Sequence, residues 1–231
     1  CFSECVSTFS ENQASQEAQR CLSCRTCLGC GLCKDACEAD AIMFTQEGGL
    51  HSLDIGSVIF APGFDIYDAR KKYNLGYGRF PNVVANLEFE RMISASGPYE
   101  SVPLRPSDGR IPEKIAWLQC VGSREKKRDF CSSICCMAAL KEAIVAKQHI
   151  GFIKPSFFYL DLRAFGKGYE EYYRRASQDS DFRFIRSLIS KIEQNPLTKD
   201  LIIRYADDHG NIVKETFDMV VLSAGINISD Y

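Results

Sequence analysis

The sequence predicts an α/β fold with a mostly parallel sheet, and three observations carry that prediction. Apolar strand-like runs alternate with helical ones through the second half of the chain. Residues 114–148, KIAWLQCVGSREKKRDFCSSICCMAALKEAIVAKQ, read as a strand, a polar loop and a helix beginning near Ser133. Many α/β proteins hold a phosphate in this layout with a glycine-rich turn. Here the turn carries Cys120, Cys131, Cys135 and Cys136 instead, as if a dinucleotide-type pocket had become an iron–sulfur site.

The elements follow in order. Residues 1–20 start with Cys1 and Cys5 and turn polar, reading as a linker in which Glu17 to Arg20 begins a short helix. Val58 to Ala61 reads as a short buried strand ended by Pro62 and Gly63. Asn82 to Ala95 fits an amphipathic helix burying Leu87, Met92 and Ile93. Gly97 to Pro112 holds four prolines and reads as a linker, with a domain boundary near 112. The strand 114–120 follows. Met137, Leu140 and Ile144 then form one face of the helix after Cys136. A strand within 151–162 is followed by a helix over 168–176 with Tyr169, Tyr172 or Tyr173, and Ala176 facing inward. Residues 182–192, 200–205, 212–217 and 219–222 read as strands, the middle pair joined by a turn at Asp208 to Asn211.

A chain of 231 residues buries one large core or two modest ones. The net charge of −2 offers no basic field for nucleic acid. No apolar run approaches the roughly 20 residues that span a bilayer, and there is no signal segment. The first residue is Cys1 rather than Met, the expectation for a piece of a longer protein.

Of 12 cysteines, eight lie within residues 1–37 and four within 120–136. Clustering at gaps of two and three residues favours metal or cluster ligation in a reducing compartment, the cytoplasm, over a disulfide framework. Residues 21–37 read CLSCRTCLGCGLCKDAC, with Cys21, Cys24, Cys27, Cys30, Cys33 and Cys37. The last four have the C-x2-C-x2-C-x3-C spacing of bacterial ferredoxins. Gly29 and Gly31 let the backbone approach cluster sulfurs. Glu38 stands where proline usually follows the fourth cysteine, which leaves that ligand's cluster open. Zinc is the competing metal, but six cysteines in 17 positions exceed the four a zinc ribbon needs.

The second set has the spacing C-x10-C-x3-C-C. A helix N-terminus favours the negative charge of a thiolate-ligated cluster. Ser132 and Ser133 are candidates to cap the helix or to donate to sulfurs. Two other readings stand beside ligation: Cys136 as a small buried hydrophobe, and a disulfide, for which adjacent cysteines are poorly placed. Arg124 to Arg128 reads as a solvated loop, with Arg124 a secondary candidate to neutralise a cluster. A catalytic thiol would need an accessible, low-pKa C-x-x-C pair, and Cys21–Cys24 has the spacing. No G-x-G-x-x-G occurs, so motifs alone offer no complete FAD or NAD phosphate site.

The runs CVGSRE…CSSICCMAALKEA, FFYLDLRAFGKGYEEYY and VIFAPGFDIYD…GYGRFPNVVANLEFERMISASGP resemble the heterodisulfide reductase A-subunit family and its bacterial relatives from about Gln19 onward. The resemblance implies a Rossmann-like pyridine-nucleotide-disulfide-oxidoreductase fold with a small ferredoxin-like iron–sulfur segment. It implies FAD and [4Fe–4S] clusters, one to three of them on this chain, and electron relay between clusters and flavin. Flavin-based bifurcation linked to heterodisulfide or quinone reduction would follow, with other subunits and ferredoxin or a similar carrier as partners. By resemblance, Cys120, Cys131, Cys135 and Cys136 match an unusual cluster ligand set. Ala61, Pro62, Gly63 and Phe64 match the family's A-T-G-F turn beside the flavin, with Gly225 in the returning segment. Pro62 replaces the usual threonine there. The family's glycine fingerprint would precede Cys1 and its terminal ferredoxin domain would follow Tyr231. The implied organisation is a ferredoxin-like segment at 1–45, part of a flavin-type domain and linker at 46–112, a Rossmann-like domain at 113–218 and a return to the flavin-type domain at 219–231. The alternative is a non-catalytic electron-transfer or docking module that holds clusters without flavin.

Overall fold

A computed structural model describes residues 9–19, 32–45, 47–61, 63–95, 97–207 and 209–227. The chain divides into two compact units, Cys1–Ala61 and Pro62–Tyr231. The boundary expected near residue 112 therefore lies inside the second unit.

In the first unit, helix α1 spans Glu11–Gln19. Its start is a capping box: the Ser10 hydroxyl accepts from the Gln13 backbone N–H, and the Gln13 side-chain Oε1 accepts from the Ser10 N–H. That S-x-x-Q signal was legible in the stretch read as a linker. A single turn, α2, spans Leu32–Asp35. Val58, Ile59 and Phe60, expected to form a buried strand, are 68%, 93% and 82% exposed and outside any strand. No described strand pairs with them, and an apolar strand gains burial only by joining a sheet.

The second unit is built on a five-stranded parallel sheet of β2 (Val83–Ala85), β9 (Met219–Ala224), β3 (Lys114–Val121), β4 (Lys154–Phe158) and β5 (Arg183–Ile185), in that spatial order. Helices α3 (Asn86–Ile93), α4 (Cys135–His149) and α5 (Tyr169–Ser177) connect or flank these strands. A parallel sheet covered on both faces needs strands that are apolar on both sides, and β3 and β9 are. Ile115 and Trp117 of β3, with Met219 and Val221 of β9, pack among Phe89, Leu140, Ala143 and Ala176 of the helices. Ala116 and Leu118, with Val220 and Leu222, face the opposite way against Ile192, Leu201, Ile203 and Phe217. Those last residues belong to a three-stranded antiparallel sheet of β6 (Ile192–Gln194), β7 (Leu201–Ala206) and β8 (Ile212–Phe217). The result is three layers: helices, parallel sheet, antiparallel sheet. A short ladder of β1 (Asp65–Ile66) with β10 (Ile226–Asn227) follows the end of β9.

Some sequence expectations shift. The run 182–192 is two strands in two different sheets, not one. The helix expected from Asn82 starts at Asn86, because 83–85 joins the sheet edge. In that phase Leu87 points to solvent, 56% exposed, and Phe89 takes the buried place beside Met92 and Ile93. Of the tyrosines on α5, Tyr172 and Tyr173 pack against the core and Tyr169 is exposed. The proline-rich 97–112 segment is bound to the unit rather than free. Its Arg105, 2% exposed, donates to Asp200 at 2.7 Å, Asp218 at 3.1 Å and the Thr198 carbonyl at 2.8 Å.

Candidate iron–sulfur centre

Cys120, Cys131, Cys135 and Cys136 line one small pocket, together with Ser123, Arg124, Ser132, Ser133, Asp161 and Arg163. The pocket lies beyond the carboxyl ends of β3, β4 and β9, where α/β sheets receive their ligands. Each cysteine arrives by a different local device. The β3–β9 register shifts between Leu118 and Val121, and Cys120 sits in that bulge with φ +61°. A non-glycine residue at positive φ is uncommon and marks a strained backbone. Arg124 (φ +55°) and Ser133 (φ +62°) share the same conformation on the loop that follows. Three such residues border this one pocket.

Cys131 lies on this loop, where the Ser133 N–H donates to its sulfur at 3.3 Å. Cys135 and Cys136 are the first two residues of α4. The residue preceding the helix, Ile134, offers no side-chain cap, so the first-turn N–H groups remain available to an anion. Neither serine caps the helix. Ser132 instead shares a buried 2.7 Å hydrogen bond with Ser123 and accepts from the Ile226 N–H at 3.0 Å, which pins the loop to β10. Gly225 leaves room for this pair: a Cβ there would lie 2.1 Å from the Ser123 hydroxyl and 2.7 Å from that of Ser132.

Three of these thiols are held in their neutral form. Burial, then the neighbouring Cys136 and Cys120, pushes Cys135 up to about 12. Burial also raises Cys120, against the opposing charge of Arg124. Cys136 is raised by burial, against a hydrogen bond from the Arg163 backbone N–H. Such thiols are poor nucleophiles, so this set does not suit thiol catalysis. Buried neutral sulfurs gathered side by side form a donor set that a metal would deprotonate on binding. Among the described residues, no three His, Cys, Asp or Glu side chains are gathered tightly enough to hold a single metal ion. Ligands of one zinc stand roughly 3.8 Å apart by tetrahedral geometry. Ligands of a cubane each bind a different iron and stand wider. The donor chemistry and the shared pocket fit a cluster.

No family model matches the chain. It is 46% identical to the iron–sulfur A subunit of the CoB–CoM heterodisulfide reductase of Methanocaldococcus jannaschii over 204 residues, 87% of this chain and 31% of the relative. It is 44% identical to a like-named A subunit from Methanopyrus kandleri over 192 residues, 82% of this chain and 29% of the relative. It is 40% identical to the A subunit of the H(2):CoB-CoM heterodisulfide,ferredoxin reductase of Methanothermobacter marburgensis over 204 residues, 87% of this chain and 31% of the relative. The chain is a homologue of the heterodisulfide reductase A subunits. It spans about a third of the length of these curated relatives.

In this heterodisulfide reductase homologue the first cysteine set is seen only in part. Cys21, Cys24, Cys27 and Cys30 lie outside the described residues, as does Pro62 of the flavin-type turn. Cys33 falls within α2. Cys37 is half-buried and free, its sulfur accepting from the Ala41 N–H at 3.4 Å. Ala61 and Phe64 are exposed, and Gly63 has φ +78°. Gly63 and Phe64 lead into β1, which pairs with β10, and the Tyr67 N–H donates to the Gly225 carbonyl at 2.8 Å.

The loop read as solvated is only partly so. Lys126 and Lys127 are exposed. Arg124 ion-pairs with Asp161, and Arg128 donates to the Gly122 and Ile226 carbonyls with its guanidinium over Tyr67. Ser123, Asp161 and Arg163 were not singled out from sequence. For the last two, the available signal was position: they follow β4, the strand next to the one that delivers Cys120. A cavity of about 520 Å³ adjoins the cysteine pocket and shares Cys120, Ser123 and Arg124 with it. Among the described residues no helix is long and apolar enough to cross a membrane.

Proposed function

We propose that this chain is the cluster-bearing part of a heterodisulfide-reductase-like oxidoreductase subunit, relaying electrons between [4Fe–4S] clusters and FAD. The observation that carries the reading is the convergence of Cys120, Cys131, Cys135 and Cys136 on one pocket from a strand bulge, a loop and a helix N-terminus. In this reading the four thiolates hold one cluster. Cys27, Cys30, Cys33 and Cys37, with Cys21 and Cys24, form the ferredoxin-like segment for one or two more.

Bound clusters supply one-electron transfer, and FAD exchanges electron pairs for single electrons. The chain's own residues set the conditions. Burial of Cys135 and Cys136 keeps water from the sulfurs, and the open first turn of α4 favours negative charge beside them. The Ser133 N–H donates to the Cys131 sulfur, the kind of interaction that tunes such potentials. Gly63, Phe64 and Gly225, which flank the β1–β10 ladder, are assigned to the flavin edge. The relatives' names support a multi-subunit complex that acts on a heterodisulfide and exchanges electrons with ferredoxin; a cytoplasmic place fits the cysteine usage.

The test is iron, sulfide and flavin quantification with EPR on the anaerobically purified full-length protein. The expected result is reducible [4Fe–4S] signals and bound FAD, with Cys135→Ala and Cys136→Ala each losing about four irons per protein, the content of one cubane. Unchanged iron in those variants, or zinc alone in the wild type, would overturn the ligand assignment. Clusters without flavin would favour the docking-module reading instead.

A further inference from the structure

Three charged side chains stand behind the cysteines, and the ligand assignment leaves them unused. Arg124 lies on the loop after β3; Asp161 and Arg163 lie on the loop after β4. All three line the cysteine pocket. Arg124 and Asp161 form an ion pair, and the Arg163 Nε reaches Asp161 at 3.3 Å. Arg124 is the most buried of the three, at 21% side-chain exposure. It sits at positive φ, so its backbone is committed to this one placement.

Both arginines line the pocket beside Cys120 and Cys136. The positive charge of Arg124 opposes the burial that raises Cys120. Asp161 contacts both arginines and neither sulfur by hydrogen bond among the described contacts. Two positive charges and one negative leave the pocket with a net positive rim.

We infer that Asp161 is a positioning residue. Its ion pairs hold the Arg124 and Arg163 side chains at the cysteine pocket, and so set the reduction potential of the cluster these cysteines hold. The inference rests on the ligand assignment proposed above. Reduction adds one electron, hence one negative charge, to the site. A fixed cation and N–H donors at the sulfurs favour the reduced form and raise the potential.

The sign of one substitution separates positioning from simple charge. Deleting Asp161 removes a negative charge, which alone would raise the potential. If Asp161 works by holding Arg124, its loss frees the guanidinium to swing into water, and the potential falls. The experiment is an EPR-monitored redox titration of the full-length protein, with iron measured on every sample. Arg124→Gln and Asp161→Ala are both expected to lower the potential of the signal that Cys136→Ala abolishes, with iron content retained. Asp161→Glu, which keeps the charge and the reach, is expected to restore it. An upward or absent shift in Asp161→Ala with iron retained overturns the inference and leaves the ligand assignment standing. If Asp161→Ala loses its iron, an Arg124→Gln variant with unchanged potential overturns the inference equally. A wild-type protein without a Cys136-dependent signal overturns the ligand assignment itself.

Discussion

Glu142 is a carboxyl placed almost wholly out of water, at 1% exposure, on the buried face of α4. One oxygen accepts from the Trp117 indole N–H at 3.0 Å. Burial, then the nearby Glu90, pushes its pKa up to about 8. The folded protein therefore binds this proton more tightly than the unfolded chain does. The stability it contributes is fully present below the ordinary carboxylate range and is lost as pH rises from there through about 8. Glu142→Gln keeps an acceptor for the indole and removes the titration. Chemical denaturation at pH 5 and pH 9 is expected to show the wild type losing a few kcal/mol, roughly 3 or more, that the variant keeps. A second residue-scale test is Gly225→Ala, whose Cβ would press on the Ser123–Ser132 pair. A loss of about 1–3 kcal/mol is expected from such overpacking, read by urea unfolding, together with reduced cluster iron because that pair pins the cysteine loop.

At the scale of elements, β3 and α4 together deliver three of the four pocket cysteines, and the loop between them delivers the other. Their packing is what fixes the pocket. Trp117 of β3 stacks on Phe157 at 5.5 Å, meets Phe89 edge-on at 5.3 Å and hydrogen-bonds to α4. Leu140, fully buried, is the centre of the helix's contact with the sheet. Leu140→Ala is expected to cost about 3 kcal/mol in urea unfolding and to lower the iron retained after reconstitution, since α4 then holds Cys135 and Cys136 less firmly. These two elements were legible in the sequence. KIAWLQC is built on the apolar run Ile115 to Leu118, and Met137, Leu140 and Ile144 repeat at helical spacing. The bulge that turns Cys120 was not legible. A register shift depends on the partner strand β9, about 100 residues later in the chain, and no local propensity encodes it. The same holds for 182–192, where one apolar run is shared between two sheets because two different partners claim its ends.

Across the whole molecule, Arg105 ties the proline-rich segment to the β7–β8 side of the second unit through Asp200, Asp218 and Thr198. An arginine buried this deeply is stabilising only while its partners remain. Arg105→Ala is expected to cost about 3–5 kcal/mol, seen as a lowered thermal midpoint, because it leaves carboxylates facing one another. Prolines made this segment look like a boundary, yet Pro103, Arg105 and Pro112 are buried and the ion pairs of Arg105 tie it to the unit. Composition could not show that, since the partners lie more than 90 residues away.

The α/β class, the order of the main elements and the two cysteine sets follow from local pattern, because periodicity and ligand spacing are properties of neighbouring residues. That four of those cysteines share one pocket, with their helix start left uncapped for an anion, came from the fold. So did the pairing of Arg124, already a candidate from its loop, with Asp161 and Arg163 behind them. Convergence depends on which strands lie side by side, and the parallel sheet sets that by burying β3 between β4 and β9. The side chains that meet at their carboxyl ends have no proximity in the chain to announce them.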